Sequence, residues 1–357
     1  MNALTLPSRR RPGRSQRGFS LIEILVGLLI AMIAVVIMME VLITSEQRSR
    51  TTNSGNDAIS AGAVTLHMLM TDLKQAGYGF NNSSTLGCNV ILPTGATVPL
   101  APVVINPATT VVPAGDANTD TLLVALGNSN GQPEGNTVSG IAGSVYTVHD
   151  PASFAQGDYV VPVPCATVTL AKVTAAPAAT TITVDNVQAG TTALYNLGQA
   201  PRFVAYAVHN GSLTSCDFMV NDCRTYSAAK WTAVSGNIVS LRAQYGRDTN
   251  AGSMNGQVDT WDQSTPTSGC GWIRTPAVRI GLLARSTQYE TAIDPTTKQR
   301  TCEQVTTATP AWTGSTGTTN APFVVNGSSD WQCYRYKTFE STAPARNMIW
   351  TSSQSSC

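Results

Sequence analysis

The sequence predicts an α+β chain: one long N-terminal helix, then a β-rich domain whose antiparallel sheet packs on the helix's second half. Three observations carry this. A basic leader, residues 1–18, gives way at Phe19 to a 25-residue stretch, 19–43, that is almost wholly apolar. Apolar side chains then recur at three- and four-residue steps as far as Ala76, the spacing of an amphipathic helix. Beyond residue 200, short segments alternate apolar and polar residues with the period of two that a half-buried strand requires.

The apolar stretch is the most informative element. At about 1.5 Å per residue it reaches about 37 Å, enough to cross a hydrocarbon core of about 30 Å with some tilt. One carboxylate, Glu23, sits just inside its start. An acid at such a position costs about 2.5–3.5 kcal/mol on insertion scales, so it points to a function. Arg9, Arg10, Arg11, Arg14 and Arg17 precede the stretch and place the leader on the cytoplasmic side and the rest of the chain outside. An ordinary signal anchor accounts for these arginines equally well. A cleaved secretory signal fits less well, because no A-x-A-like site ends the run. Neither accounts for Glu23.

The helix is expected to continue over 44–79. Glu40, Glu46, Arg48 and Arg50 mark its emergence into water, and Thr51 to Gly55 is a weak point where a kink or short break is expected. Ile59, Ala63, Leu66, Leu69/Met70, Leu73 and Ala76 then form one apolar face, and Gly77 and Gly79 end the helix. No proline falls between Pro12 and Pro93, so the membrane half is expected to resist local melting.

Residues 80–357 form the extracytoplasmic domain. Over 80–200 the chain is rich in Val, Thr, Ala, Gly and Pro, with strand-like pieces at 121–126, 159–163 and 181–184, and reads as an irregular β insertion. Over 201–357 the pattern is clearer. Residues 203–208, Asn210, Gly211 and the segment after them read as a hairpin. Residues 238–245, 278–284 and 334–339 supply further alternating strands of one antiparallel sheet.

Composition agrees with that placement. The leader holds five of the 22 basic residues, leaving 17 against 21 acids, net −4. This gives no support to a direct nucleic-acid groove. Charged residues make up only 12% of the chain, which suits an extracytoplasmic β domain better than a cytosolic enzyme. All eight cysteines (Cys88, Cys165, Cys216, Cys223, Cys270, Cys302, Cys333 and Cys357) lie beyond the apolar helix. An even count there reads as disulfides. Cys216 and Cys223 are near enough to staple a local loop; the other pairings stay open. No C-x-x-C spacing suggests zinc or thiol redox chemistry.

Gly18-Phe19-Ser20-Leu21-Ile22-Glu23 closely resembles the cleavage site of type IV prepilins. The resemblance implies that a prepilin peptidase cuts after Gly18 and methylates the amine of Phe19, and that Glu23 pairs with the N-terminal amine of a neighbouring subunit. Further segments resemble the minor pilin family PilW: 73–78 with Cys88 nearby, 241–246 with Asp248, 279–285 and 345–348. The implied fold is type IV pilin-like. The implied role is a minor pilin of a tip complex that primes pilus assembly and so supports motility, adhesion or DNA uptake. Its partners would be other minor pilins, the major pilin, a large adhesin-like tip protein and inner-membrane lipid. The implied location is the bacterial inner membrane, one pass, with the C-terminal domain in the periplasm and later at the pilus tip. Two other readings stand beside this one: a type II secretion minor pseudopilin, which shares leader and fold, and a membrane-anchored periplasmic enzyme or ligand-binding protein.

Catalytic and cofactor chemistry find little support. His67, His149 and His209 are scattered, fall in no H-E-x-x-H or nucleophile-elbow pattern, and read as surface residues. No phosphate-binding loop or dinucleotide fingerprint is present. Asp248, Asn250 and Asp259 offer hard oxygens in a Gly-containing stretch that a Ca²⁺ ion would accept. The third close acid and the bidentate Glu are missing, so an Asx-rich turn is the favoured reading. No catalytic residue, cofactor or firm metal ligand is expected.

Overall fold

A computed structural model describes residues 18–349 and Cys357, apart from 129–134 and positions 165, 253, 295, 298, 318 and 326. The chain forms two compact units, one ending at Asn53 and one beginning at Ser54. Among its described residues the first consists of residues 18–20 and the first part of one helix. Helix α1 (Leu21–Gln75) starts where the Ser20 carbonyl accepts the N–H groups of Glu23 (3.0 Å) and Ile24 (3.2 Å). Its apolar span, Leu21–Glu46, buries nothing within the chain. A helix apolar on every side is at home only in lipid or against other such helices.

The expected break at Thr51 to Gly55 is absent, and α1 is hydrogen-bonded straight through it. Polar side chains favour breaks when they compete for backbone groups outside the helix. Here they find partners inside it: the Thr52 hydroxyl donates to the Arg48 carbonyl (2.9 Å), and the Asn53 amide reaches Ser49 Oγ (3.5 Å).

In the second unit α1 lays one face in the core. Ala58, Gly62, Thr65, Leu69, Asp72, Leu73 and Ala76 are buried. The expected face lay one residue further on in its first turns, but Ile59 is 47% exposed and Ala63 is exposed. Size decides this. A Cβ placed on Gly62 would stand 2.1 Å from a ring carbon of Phe339, and Thr65 folds its hydroxyl back onto the Ala61 carbonyl at 2.6 Å. Ile59 in that line would hold the helix off the sheet.

Two antiparallel sheets receive this face. One has five strands in the order Thr232–Gly236, Ser212–Asp217, Arg202–His209, Leu122–Leu126 and Val103–Ile105. The other has four, in the order Thr260–Asp262, Ile238–Arg247, Ala277–Arg285 and Tyr336–Pro344. The strands expected in a single sheet are therefore divided. Asn237, at φ +60°, turns the chain out of the first sheet and into the second. Arg202–His209 pairs instead with Leu122–Leu126, whose five residues are all buried. The hairpin at Asn210 and Gly211 has φ of +53° and +68°, the signs of a type I′ turn. The last strand begins at Tyr336, two residues later than expected.

Residues 80–200 are not one irregular insertion. Residues 103–126 belong to the main core, through the strands just named. The insertion proper lies between the neighbouring strands Leu122–Leu126 and Arg202–His209. Its six strands run in the order Thr181–Thr183, Val145–Val148, Asn136–Ala142, Ala193–Gly198, Tyr159–Val163 and Ala171–Lys172. The ends of that sheet meet: Val173 bridges Val184, and the N–H groups of Thr174 and Asp185 donate to Thr183 and Lys172. The sheet thus closes into a small barrel, which removes its edges. The barrel has its own apolar core around Tyr146, Phe154, Val160, Ile182 and Leu194.

His209, expected at the surface, is buried. Its Nδ1 lies 2.7 Å from Thr214 Oγ1, and its ring stacks on Tyr226 with centroids 3.9 Å apart. Burial holds the imidazole below its ordinary value of 6.5, against the pull of Asp116. The unfolded chain then takes up a proton that the folded chain refuses, so stability is complete above about pH 6.5 and declines as the pH falls below it. Thermal melts of the detergent-solubilised chain are expected to show this decline, and His209→Gln to reduce it. Equal acid sensitivity in both would refute the assignment.

The close approach at Gly62 gives a second expectation. Gly62→Leu should lower stability to denaturant by about 1–3 kcal/mol, as overpacking does. Adding Phe339→Ala should recover part of that loss, whereas an unchanged midpoint in the single variant would mean the contact is not tight.

Candidate functional site

The site read from the sequence is the N-terminal segment, and its geometry is simple. Gly18, Phe19 and Ser20 precede α1 and are exposed, Phe19 by 80%. A Cβ on Gly18 would meet nothing within 4 Å. The Gly18–Phe19 bond thus lies in accessible, non-helical chain, the form in which a peptidase can grip a backbone. Residues 1–17 of the leader lie outside the described residues.

Glu23 stands in the first turn of α1. The positive end of the helix dipole favours a carboxylate there, by about 0.3–1 kcal/mol where exposed. No ion pair among the described residues includes Glu23.

Asp248 and Asp259 spend their oxygens on the N–H groups of a turn, to which Asn250 contributes its own N–H. Asp248 accepts the N–H groups of Asn250 (3.1 Å), Asn255 (2.8 Å) and Gly256 (2.8 Å), with Arg274 at 3.9 Å. Asp259 accepts Thr249 N–H at 2.7 Å. Burial opposes the charge on Asp248, yet these amides and Arg274 prevail and hold its carboxyl below the usual range. His67 and His149 are exposed; no group of three metal-binding side chains occurs among the described residues.

Three disulfides are described: Cys216 with Cys223, Cys270 with Cys357, and Cys302 with Cys333. Cys88 is disulfide-bonded as well, while Cys165 lies outside the described residues. The second bridge ties down Cys357, whose carbonyl accepts from Arg274 Nε.

The motifs that suggested a family turn out to be joints of the fold. Arg242 donates to Asp120 Oδ1 at 3.0 Å. Asp120 is buried and also accepts from Asn106 (3.0 Å), the Ala243 N–H (2.9 Å) and Gln263 (2.6 Å), so one carboxylate ties the loop before Leu122–Leu126 to the four-stranded sheet. The Tyr245 hydroxyl accepts the Ile105 N–H at 2.6 Å. The Asn347 amide donates to the Gln75 and Ala76 carbonyls, each at 3.0 Å, and so closes the C-terminal end of α1. Asp72, midway along the buried face, accepts from Tyr206 and, at 3.4 Å, from Arg202. Burial first and Asp72 second raise the Tyr206 hydroxyl far above its usual value. Sequence reading missed Asp72 and Asp120, because an isolated acid carries no signal of the partner that folding will bring.

Comparison with known proteins agrees with this anatomy. Residues 205–347 match the family model of the type IV pilus-assembly protein W, and residues 13–39 match the prokaryotic N-terminal methylation motif. Among solved structures, the type IV-like pilin TTHA1219 from Thermus thermophilus is similar at 11% identity and a TM-score of 0.35, over 81% of this chain and 97% of that one. No curated protein matches. A domain similar to the type IV pilus-assembly protein W thus follows a prepilin-type N-terminus in one chain.

Proposed function

We propose that the protein is a minor pilin of the complex that primes type IV pilus assembly and remains at the fibre tip. The observation that carries this is the pairing of a fully exposed apolar helix, headed by Gly18, Phe19 and Glu23, with a pilus-assembly domain in one chain. The precursor sits in the inner membrane through 19–43, with the β-rich domain in the periplasm. Prepilin peptidase removes the leader after Gly18 and methylates the Phe19 amine. The role is structural: helices pack side by side while the β domain meets other minor pilins, the major pilin below and a large adhesin-like protein above.

Glu23 gives the assembly step its register. An unpaired carboxylate in a low dielectric costs several kcal/mol more than one paired with a cation. An amine on the first residue of a neighbouring helix, its Phe19, would relieve that cost at one axial position only.

Edman sequencing of the membrane-extracted protein should begin at N-methylated Phe19; a chain still carrying its arginine-rich leader in cells with active peptidase would end this reading. Glu23→Ala should leave that N-terminus unchanged yet lower the number of pili per cell, and normal piliation would exclude the register role. Loss of protein secretion with intact twitching in a deletion strain would assign the protein to a type II secretion system instead.

A further inference from the structure

Among the described residues, six arginines of the β-rich unit have a carboxylate of this chain beside them. They are Arg202 with Asp72, Arg224 with Asp222, Arg242 with Asp120, Arg247 with Asp262, Arg274 with Asp248 and Arg335 with Glu290, at 2.8–3.9 Å. Arg279, half-buried on the strand Ala277–Arg285, has no such partner among the described residues. It is nonetheless held by three side chains. Its guanidinium lies 4.4 Å from the ring centre of Trp261 and 5.6 Å from that of Trp312. Its Nε donates to Gln244 Oε1 at 2.7 Å.

The walls are fixed in turn. Gln244 Nε2 donates to the Thr319 carbonyl at 2.6 Å, and the Thr319 hydroxyl donates to the Trp261 carbonyl. Trp312 Nε1 donates to the Ala321 carbonyl at 2.7 Å, and the Trp312 ring fits against Gly281 and Gly314, where a Cβ would stand 2.6 Å and 2.3 Å from it. Both Nη groups lack a hydrogen-bond partner among the described residues, and neither is sealed from solvent. Glu340 acts on Arg279 from a distance, but its oxygens accept the N–H and hydroxyl of Thr313 at 2.7 and 2.8 Å.

We propose that Arg279, clamped by Trp261, Trp312 and Gln244, is a binding site for a carboxylate of a protein partner, gripped by its two Nη groups. A guanidinium with its Nε engaged and its end-on edge free matches the two oxygens of a carboxylate in a fork. Rings on its faces hold the cation in place and lessen the loss of hydration, so little side-chain freedom remains to be lost on binding. A sugar acid fits less well. Trp312 is buried, and Trp261 already carries the guanidinium against its ring, so neither ring offers the site a free plane beside the cation for a pyranose.

The proposal stands apart from the pilus reading and is tested without a pilus. The mature chain in detergent, labelled with ¹⁵N at arginine and tryptophan, is titrated with three probes. These are acetyl-trialanine with a free C-terminus, acetyl-Ala-Glu-Ala amide, and glucuronate, each against chloride at equal ionic strength. At least one peptide carboxylate should shift the Arg279 Nε–H and Trp261 indole signals saturably. Arg279→Gln should weaken that binding about tenfold or more, and Glu340→Gln, which removes a repelling charge, should strengthen it. Shifts no larger than with chloride, equal shifts in Arg279→Gln, or tighter binding of glucuronate than of either peptide would each overturn the proposal. Retention of the other indole signals in both variants shows that the fold survives.

Discussion

The fold rests on how closely the second half of α1 approaches the sheets. Ala58, Gly62 and Thr65 present almost no side chain, so Phe339 of the four-stranded sheet lies directly against the helix backbone. Further along, Leu73 and Ala76 share a small apolar cavity with Val103 of one sheet and Val278 and Ala343 of the other. The same helix face therefore seals two sheets at once, and a larger residue anywhere along it would separate the layers. Dense packing of this kind tolerates little change in volume.

Polar groups then fix what packing alone leaves free to slide. Asp72 accepts from Tyr206 and Arg202, setting the position of α1 on the five-stranded sheet. Asp120 joins the two sheets through four donors. Asn347 closes the helix end from the other extremity of the chain. Buried carboxylates of this kind are costly unless fully paired, and removing one partner typically costs about 3–5 kcal/mol. They specify one arrangement more than they add to stability. The disulfides from Cys270 to Cys357 and from Cys302 to Cys333 act on the denatured chain instead, shortening the loops it explores.

The two parts of the chain divide the labour. The apolar span is exposed among the described residues and available to lipid or to other helices. The two-sheet body keeps its register by internal carboxylates and needs no partner for it. The barrel, closed on itself and inserted between adjacent strands, adds surface without disturbing the sheet that holds it. Arg279 is fixed in this body by two tryptophans and Gln244, with no ion pair among the described residues.

The sequence by itself determined the prepilin-type motif, the apolar span, the α+β class and the strands of the second half. Each is written in local terms: a charge pattern, a run of apolar residues, a period of two. It also held the turn at Asn210 and Gly211, where only a few residue types accept positive φ. Tertiary structure alone decided which helix face is buried, because the choice between Ile59 and Gly62 depends on the ring of Phe339 nearly 280 residues away. It likewise divided the strands between two sheets, closed the barrel, and gave Asp72, Asp120 and Asn347 their partners. Such contacts join residues far apart in the chain, and no periodicity records which distant group will fill a gap or meet a charge.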